Sequence, residues 1–199
     1  VTSPPVQDLE LLGQIGSGDE AAFGLLVERY WRPLVGFASR LAGSDDDAED
    51  AVQAVLIRIW EKRETWHPQG SVRALLFRMT RDAVLDQSKA TVRRQTRDGL
   101  QAIRGPSPIP TPADDLECAD LQTALAAAVA NLSERRRAVY QLTRIDGLTY
   151  HEAADVLGIS SQTAANHLSA ALAELSRALT TYLHPAPEPS EAKDRHSLP

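Results

Sequence analysis

Four prolines at alternate positions, Pro106, Pro108, Pro110 and Pro112 in the stretch GPSPIPTPADD, forbid a helical core over residues 105–115. Each ring fixes φ and removes an N–H donor, so the run forms a stiff, extended connector. A chain interrupted in this way is expected to fold as two pieces. The expected division is residues 6–98, a connector at 99–116, a second piece at 117–183, and a polar, proline-rich, disordered tail at 184–199.

Both pieces read as helical. Aromatic residues make up only 5% of the 199-residue chain, while alanine and leucine abound, and that bias favours helices over sheets. In the first piece, Asp19 is a good N-cap for a helix whose apolar positions Phe23, Leu26, Val27, Tyr30 and Leu34 recur every three or four residues, with Pro33 expected to kink it. After Gly43, the run SDDDAED places carboxylates at the positive end of a second helix. Val52, Val55, Leu56 and Ile59 then form one stripe, and Trp60 is expected to pack beside it. A third long helix starts near Gly70 or Ser71 and is expected to bury Val72, Leu75, Leu76, Met79, Val84 and Leu85. Its other side can present Arg73, Arg78, Arg81 and Lys89, with Arg93, Arg94 and Arg97 trailing. Trp66 either stacks on bases or packs, and His67 and Pro68 form a loop.

In the second piece, Leu132 and Ser133 are expected to act as staple and N-cap of a helix that turns Ala138, Val139 and Leu142 inward. Thr149 to Glu152 is a capping-box pattern opening a short helix with Ala153, Val156 and Leu157 apolar. Gly158 supplies a turn, Ile159 plugs the angle, and Ser160 or Ser161 caps the next helix, which buries Leu168, Ala171, Leu172 and Leu175. Small Ala154 lets the two helices cross closely. These are the mechanics of a helix-turn-helix. The expected fold class is therefore all-α, two small helical domains joined by a proline-rich linker.

Charge is unevenly spread. The formal net charge is −6, which disfavours a protein that coats nucleic acid unaided. Between Arg58 and Arg104, however, eleven Lys/Arg stand against five Asp/Glu. Conversely, no Lys or Arg occurs between Arg144 and Arg177, where the helix-turn-helix lies. The lone Cys118 rules out an internal disulfide. Apolar runs fall short of the roughly 18 residues that span a bilayer, and the start VTSPPVQDLE lacks a secretory pattern, so a cytoplasmic protein without membrane insertion is expected.

Enzyme readings fail on particular residues. HEAAD, His151 to Asp155, lacks the second imidazole that a zinc-protease motif needs at position 155. GSGDEAAFG lacks the P-loop lysine and follows a helix. Cys118 has no evident histidine partner. No catalytic residue, metal ligand or cofactor is expected.

The succession AAFGLLVERYWRPLVGFASRLAGSDDDAEDAVQAVLIRIWEKRETWHPQGSVRALLFRMTRDAVLD, a proline-rich linker, and LSERRRAVYQLTRIDGLTYHEAADVLGISSQTAANHLSAALAEL resembles bacterial RNA polymerase sigma factors of the extracytoplasmic function group, over residues 8–182. The resemblance implies a transcription initiation factor. Its first domain would bind the polymerase clamp helices and melt the minus-10 element, and its second would contact the polymerase flap and read the minus-35 element. Expected partners are core RNA polymerase, promoter DNA and an anti-sigma factor. The alternatives are a stand-alone helix-turn-helix regulator and a module that only sequesters a partner.

Residue by residue, Glu49, Asp50 and Gln53 fall where such factors meet the clamp helices; the plain alternative is a solvated acidic cap. Arg73, Arg78, Arg81, Asp82, Lys89, Arg93 and Arg94 fall on the minus-10 face. The alternative there is a solvated helix with pairs such as Arg78 with Asp82. Family members often carry asparagine where Asp82 stands, and a carboxylate accepts hydrogen bonds without donating them. Leu75 stands where tryptophan is frequent. In the recognition helix, Ala165, His167 and Ala170 replace the usual cations, while Asn166, His167 and Leu168 match a subset of the family. Ser161, Gln162, Thr163, Asn166 and His167 are then expected to read minus-35 bases, with phosphate contacts from Arg135, Arg136, Arg137 and Arg144. The alternative is a helix that faces protein. The linker either runs through the polymerase cleft, with Asp114, Asp115 and Glu117 mimicking phosphates, or is a simple tether.

Overall fold

The computed structural model of the chain describes residues 5–65, 70–98 and 116–183, and every regular element among them is helical. The first half comprises α1 (Pro5–Gly16), α2 (Glu20–Ala42), α3 (Asp45–Glu61), a 3₁₀ turn (Arg63–Thr65) and α4 (Val72–Asp98). The second comprises α5 (Leu116–Asn131), α6 (Glu134–Tyr140), a π-helical turn (Gln141–Ile145), α7 (Tyr150–Leu157) and α8 (Ser161–Leu183). The connector up to residue 115, the tail from residue 184, and Trp66, His67 and Pro68 lie outside the described residues. No helix among the described residues is long and apolar enough to cross a membrane.

Local chemistry sets the helix boundaries. The Asp19 carboxylate accepts from the amides of Ala21 at 2.9 Å and Ala22 at 3.1 Å, and opens α2. That helix runs on through Pro33 and ends where Gly43 adopts φ 70°, a left-handed conformation that costs glycine little. Ser44 caps α3, and the first turn holds Asp45, Asp46 and Asp47 against the positive helix end. The Ser71 hydroxyl accepts from the amide of Ala74 at 3.2 Å and opens α4.

Leu26, Tyr30, Leu34 and Phe37 of α2 meet Val52, Val55, Leu56 and Ile59 of α3 and Val72, Leu76, Phe77 and Val84 of α4. Phe37 and Phe77 pack tilted, ring centroids 5.1 Å apart. Phe77 is fully buried, so its truncation to alanine should cost about 3–5 kcal/mol. Trp60 is half-buried, packs 5.1 Å from Phe23 and lies under the Arg63 guanidinium, consistent with a packing role. Helix α1 is fastened by a buried carboxylate: Asp8 accepts from the Tyr30 hydroxyl at 2.5 Å and from Arg29. Burial, then the bond to Asp8, raises the Tyr30 hydroxyl far above its ordinary pKa, which keeps it a donor.

Helix α4 departs from expectation. Its buried line is Val72, Leu76, Thr80 and Val84, with Ala74 and Phe77 beside it. Leu75 and Met79 are half-buried and Leu85 is 45% exposed. Leu85 lies about 100° around the helix from Val84, off the line that faces α2 and α3.

The second half has thinner cores. Val129 and Leu132 pack on Ala171 and Leu175, and Val139 packs on Ala154 and Ala164, where two alanines let α7 and α8 approach closely. Leu172 is exposed, contrary to expectation: it follows Ala171 around α8 and misses α5. Ser133 occupies the N-cap of α6 without a side-chain hydrogen bond, so it does not cap as expected; its carbonyl accepts from the amide of Arg137. The capping box is present, with the amide of Glu152 donating to the Thr149 hydroxyl at 3.2 Å and the amide of Thr149 donating to the Glu152 carboxylate at 2.8 Å. Ser160 caps α8 through the amide of Thr163 at 3.1 Å.

The halves share a core. Leu142, Leu148, Ala153 and Val156 are buried in one cluster with the helices of the first half, because α7 lies on α4.

Candidate polymerase and nucleic-acid interfaces

Helix α3 turns its apolar stripe inward and leaves Glu49, Asp50 and Gln53 exposed near its acidic end. Their i, i+1 and i+4 spacing brings them onto neighbouring faces of one turn. They form a surface rather than a pocket.

Of the cations on α4, Arg78 and Lys89 are exposed, the latter 3.3 Å from Asp86. Arg73 and Arg81 are not presented as expected. Arg73 donates to the carbonyl of Gly147 at 3.0 Å and to that of Asp146. Arg81 donates to the carbonyl of Val156 in the last turn of α7, and to Asp82 at 2.8 and 3.1 Å. Asp82 thus pairs with its neighbour Arg81, not with Arg78. The side chains of Arg93, Arg94 and Arg97 lie outside the described residues.

The first turns of α8 carry the expected reading residues. Gln162 and Asn166 are exposed, and the Gln162 amide donates to the Asn166 carbonyl oxygen at 3.0 Å. This i, i+4 bond leaves the Gln162 oxygen to accept and the Asn166 NH₂ to donate, the combination an adenine edge requires. Thr163 bonds the Ser160 hydroxyl at 2.8 Å, and Ser161 bonds His151 Nδ1 at 3.0 Å. His167 is half-buried. His151, whose ring lies 4.1 Å from that of Tyr150, belongs to this surface although its motif context had pointed only to metal chemistry.

The four expected phosphate-binding arginines divide. Arg135 and Arg144 are exposed, whereas Arg136 pairs with Glu174 of α8 and Arg137 donates to the carbonyl of Ala130 at 2.8 Å.

Two acids lie where the halves meet. The Asp146 carboxylate accepts from Arg40 at 2.5 Å through one oxygen, while the other is buried without a hydrogen-bond partner. Burial, outweighing the charges of Arg40 and Arg73, raises its pKa. Glu152 accepts from the Ser71 hydroxyl at 2.5 Å. Burial pushes its pKa up, but the bonds from Ser71 and Thr149 and the charge of Arg73 outweigh it and hold the carboxyl below its ordinary value. Among the described residues no group of histidine, cysteine and carboxylate side chains could hold a metal.

A helix-turn-helix with an uncharged, amide-bearing first turn, beside a bundle that carries cations, defines a helical DNA-binding transcription protein. Residues 26–97 match the sigma-70 region 2 family and residues 122–175 match sigma-70 region 4. The chain is 29% identical over 188 residues to the RNA polymerase sigma factor CnrH of Cupriavidus metallidurans, covering 89% of this chain and 96% of that protein. It is 32% identical over 155 residues to the extracytoplasmic function sigma factor SigE of Mycolicibacterium smegmatis, covering 74% of this chain and 58% of that protein. The solved structure of CnrH in complex with the cytosolic domain of CnrY superposes with a TM-score of 0.60 at 28% identity, over 88% of this chain and 98% of that one. The chain belongs to the extracytoplasmic function group of RNA polymerase sigma factors. It is accordingly a promoter-directing initiation factor of core RNA polymerase, and the pairing of region 2 with region 4 sets aside the stand-alone regulator.

Proposed function

We propose that residues 6–98 dock on core polymerase and hold the melted minus-10 strand, and that 117–183 read minus-35 DNA, with 99–116 as connector and 184–199 as tail. Glu49, Asp50 and Gln53 contact the polymerase; their joint exposure on an acidic helix end suits charge-assisted bonds to an arginine-bearing partner. Arg78 and Lys89 hold the separated strand, joined by Arg73, Arg81, Arg93 and Arg94, and Asp82 adjusts base preference. Gln162, Thr163, Asn166 and His167 read the minus-35 element, and Arg135 and Arg144 supply its phosphate contacts.

The single observation that carries this reading is the exposed Gln162–Asn166 amide pair on the first turns of α8, which offers sequence discrimination without charge. Affinity then comes from polymerase and from the cations elsewhere. The chain makes and breaks no covalent bond itself and works in the cytoplasm, where polymerase and promoters are. An anti-sigma factor is a fitting partner, as NepR is for the sigma factor RpoE of Bartonella quintana.

Transcription from a promoter library by core polymerase, with and without the chain, tests the whole. New start sites that depend on the chain are expected. Replacing Asp50 and Gln53 by alanine should weaken co-purification with core enzyme while the helical fold is retained. A library transcribed identically with and without the chain contradicts the reading.

A further inference from the structure

We infer that His151 is a specificity-determining residue of the minus-35 surface: through its bond to the Ser161 hydroxyl, the proton on its ring decides whether Ser161 meets a base as donor or as acceptor. The inference rests on the proposed reading of minus-35 DNA by α8, and adds to that reading a positioning residue from α7.

The first turns of the two helices meet at this pair. His151 Nδ1 on α7 lies 3.0 Å from Ser161 Oγ on α8. The imidazole is exposed, and the Tyr150 ring, itself exposed, lies against it at 4.1 Å and helps to orient it. Ser160 caps α8 through the amide of Thr163, so the Ser161 hydroxyl is not spent on the helix end. Ser161 directly precedes Gln162, which bonds Asn166 on the exposed side of α8.

A hydroxyl carries one hydrogen and two lone pairs, and a neutral imidazole has one N–H, which sits on either nitrogen. With that hydrogen on Nε2, Nδ1 accepts from Ser161, whose oxygen is left to accept from DNA. With it on Nδ1, the ring donates to Ser161, whose hydrogen is left to donate to DNA. The neutral pair therefore meets either kind of base edge. A protonated ring ends the choice, because both nitrogens donate and Ser161 turns its hydrogen outward. In the major groove guanine offers acceptors at O6 and N7, whereas cytosine offers a donor at N4. The charged pair accordingly keeps guanine and rejects cytosine. Histidine is the side chain whose charge ordinarily changes between about pH 5 and 8.

The charged groups around the pair are few. On α7 they are Glu152, bonded to Ser71 and Thr149, and Asp155, exposed one turn on. Helix α8 carries no Lys, Arg, Asp or Glu before Glu174, and His167 is its one titratable side chain over that span. Helix α4 sends Arg73 and Arg81 to carbonyls of the second half, the latter paired also with Asp82. Helix α6 and the π-helical turn carry Glu134 and the four arginines already placed, and Asp146 after them is paired with Arg40.

The test is promoter selection by the holoenzyme on DNA randomised over the minus-35 element, at about pH 8 and about pH 6. All chains carry His167→Gln, which removes the other histidine of α8. Ser161→Ala identifies the base concerned, as the position whose preference flattens. There the ratio of guanine to cytosine should rise about threefold to tenfold from the higher pH to the lower, the discrimination of one hydrogen bond. His151→Asn places near Nδ1 an uncharged amide that can donate or accept by turning over, so it should hold the higher-pH ratio at both pH values. A ratio that ignores pH overturns the inference, as does an equal shift in His151→Asn, or a Ser161→Ala chain in which no position flattens. An acid gain shared by all bases alike makes the imidazole a phosphate contact and overturns it too. If the inference fails while Gln162→Ala and Asn166→Ala flatten positions of their own, only the role of His151 falls; if those variants also leave every preference unchanged, the reading of minus-35 DNA by α8 falls with it.

Discussion

Helices α8 and α4, the two that we propose bear on DNA, present opposite chemistry. The first turns of α8 carry donors and acceptors without charge, and their amides stand in solvent. Helix α4 carries the charge, and two of its four cations with described side chains, Arg73 and Arg81, are turned onto carbonyls of the other half. A neutral reader separates specificity from affinity. A cation already bonded within the fold has fewer donors left for a ligand. Charge counted along a sequence is therefore different from charge available to a ligand.

The largest expected effect would come from the exposed cations of α4. Arg78→Ala with Lys89→Ala should reduce open-complex formation by the holoenzyme, each lost charged hydrogen bond being worth about 1.5–3 kcal/mol, or roughly tenfold or more. Permanganate reactivity of open thymines measures this, and added salt should mimic the loss. An undiminished signal removes these residues from the strand-holding site. Arg81→Ala sharpens the contrast, since it should impair melting by the holoenzyme while loosening the free chain.

A smaller effect separates the arginines near α8. Arg135→Ala or Arg144→Ala should lower minus-35 occupancy for all sequences alike and reduce the salt slope by about one unit per residue. Arg136 is tied to Glu174, so Arg136→Ala should leave the slope unchanged and lower stability by about 0–1 kcal/mol, the range for a partly exposed pair. Salt titrations of promoter binding and a denaturant melt read the two quantities. Equal slopes for Arg135→Ala and the unaltered chain would erase the distinction.

The smallest effect is a pH response where the halves meet. Glu152 sits below its ordinary pKa, so its contribution to the packing of the halves is complete at neutral pH and is lost as pH falls through that lowered value. Asp146, facing Arg40 and Arg73, has a raised pKa, so the folded chain takes up a proton first and gains stability as pH falls through the range above its ordinary value. In Glu152→Gln, mild acid should therefore stabilise the chain; in Asp146→Asn, acid should only destabilise it. Denaturant unfolding against pH reads both, and identical curves for the two variants contradict these assignments.

Much of this was legible in the sequence because it is local. The caps at Asp19 and Thr149, the Gly43 and Gly158 turns, the stripe Val52–Val55–Leu56–Ile59 and the joint placement of Gln162 and Asn166 at the start of α8 depend on spacings of a turn or two. Burial on α4 was legible only in part: Phe77 was overlooked and Leu85 was expected inside, because which of two adjacent apolar lines faces the core is settled by α2 and α3. The pairing of halves was not legible at all. Arg40 and Asp146 are 106 residues apart, Arg81 and Val156 are 75 apart, and no periodicity links them. Four arginines that read alike in sequence, Arg135, Arg136, Arg137 and Arg144, differ only through what α5 and α8 bring near them.

The most direct measurement is selection by the holoenzyme on DNA randomised over the minus-35 element, with the unaltered chain and with Gln162→Ala, Asn166→Ala and His167→Gln. Loss of a base-reading contact costs about 1–3 kcal/mol of discrimination at the base it touches. The expected result is a preferred sequence that flattens at one or two positions in each variant and is otherwise kept. The same preferred sequence from all four proteins would mean that α8 does not read DNA through these residues and that its uncharged first turns face protein.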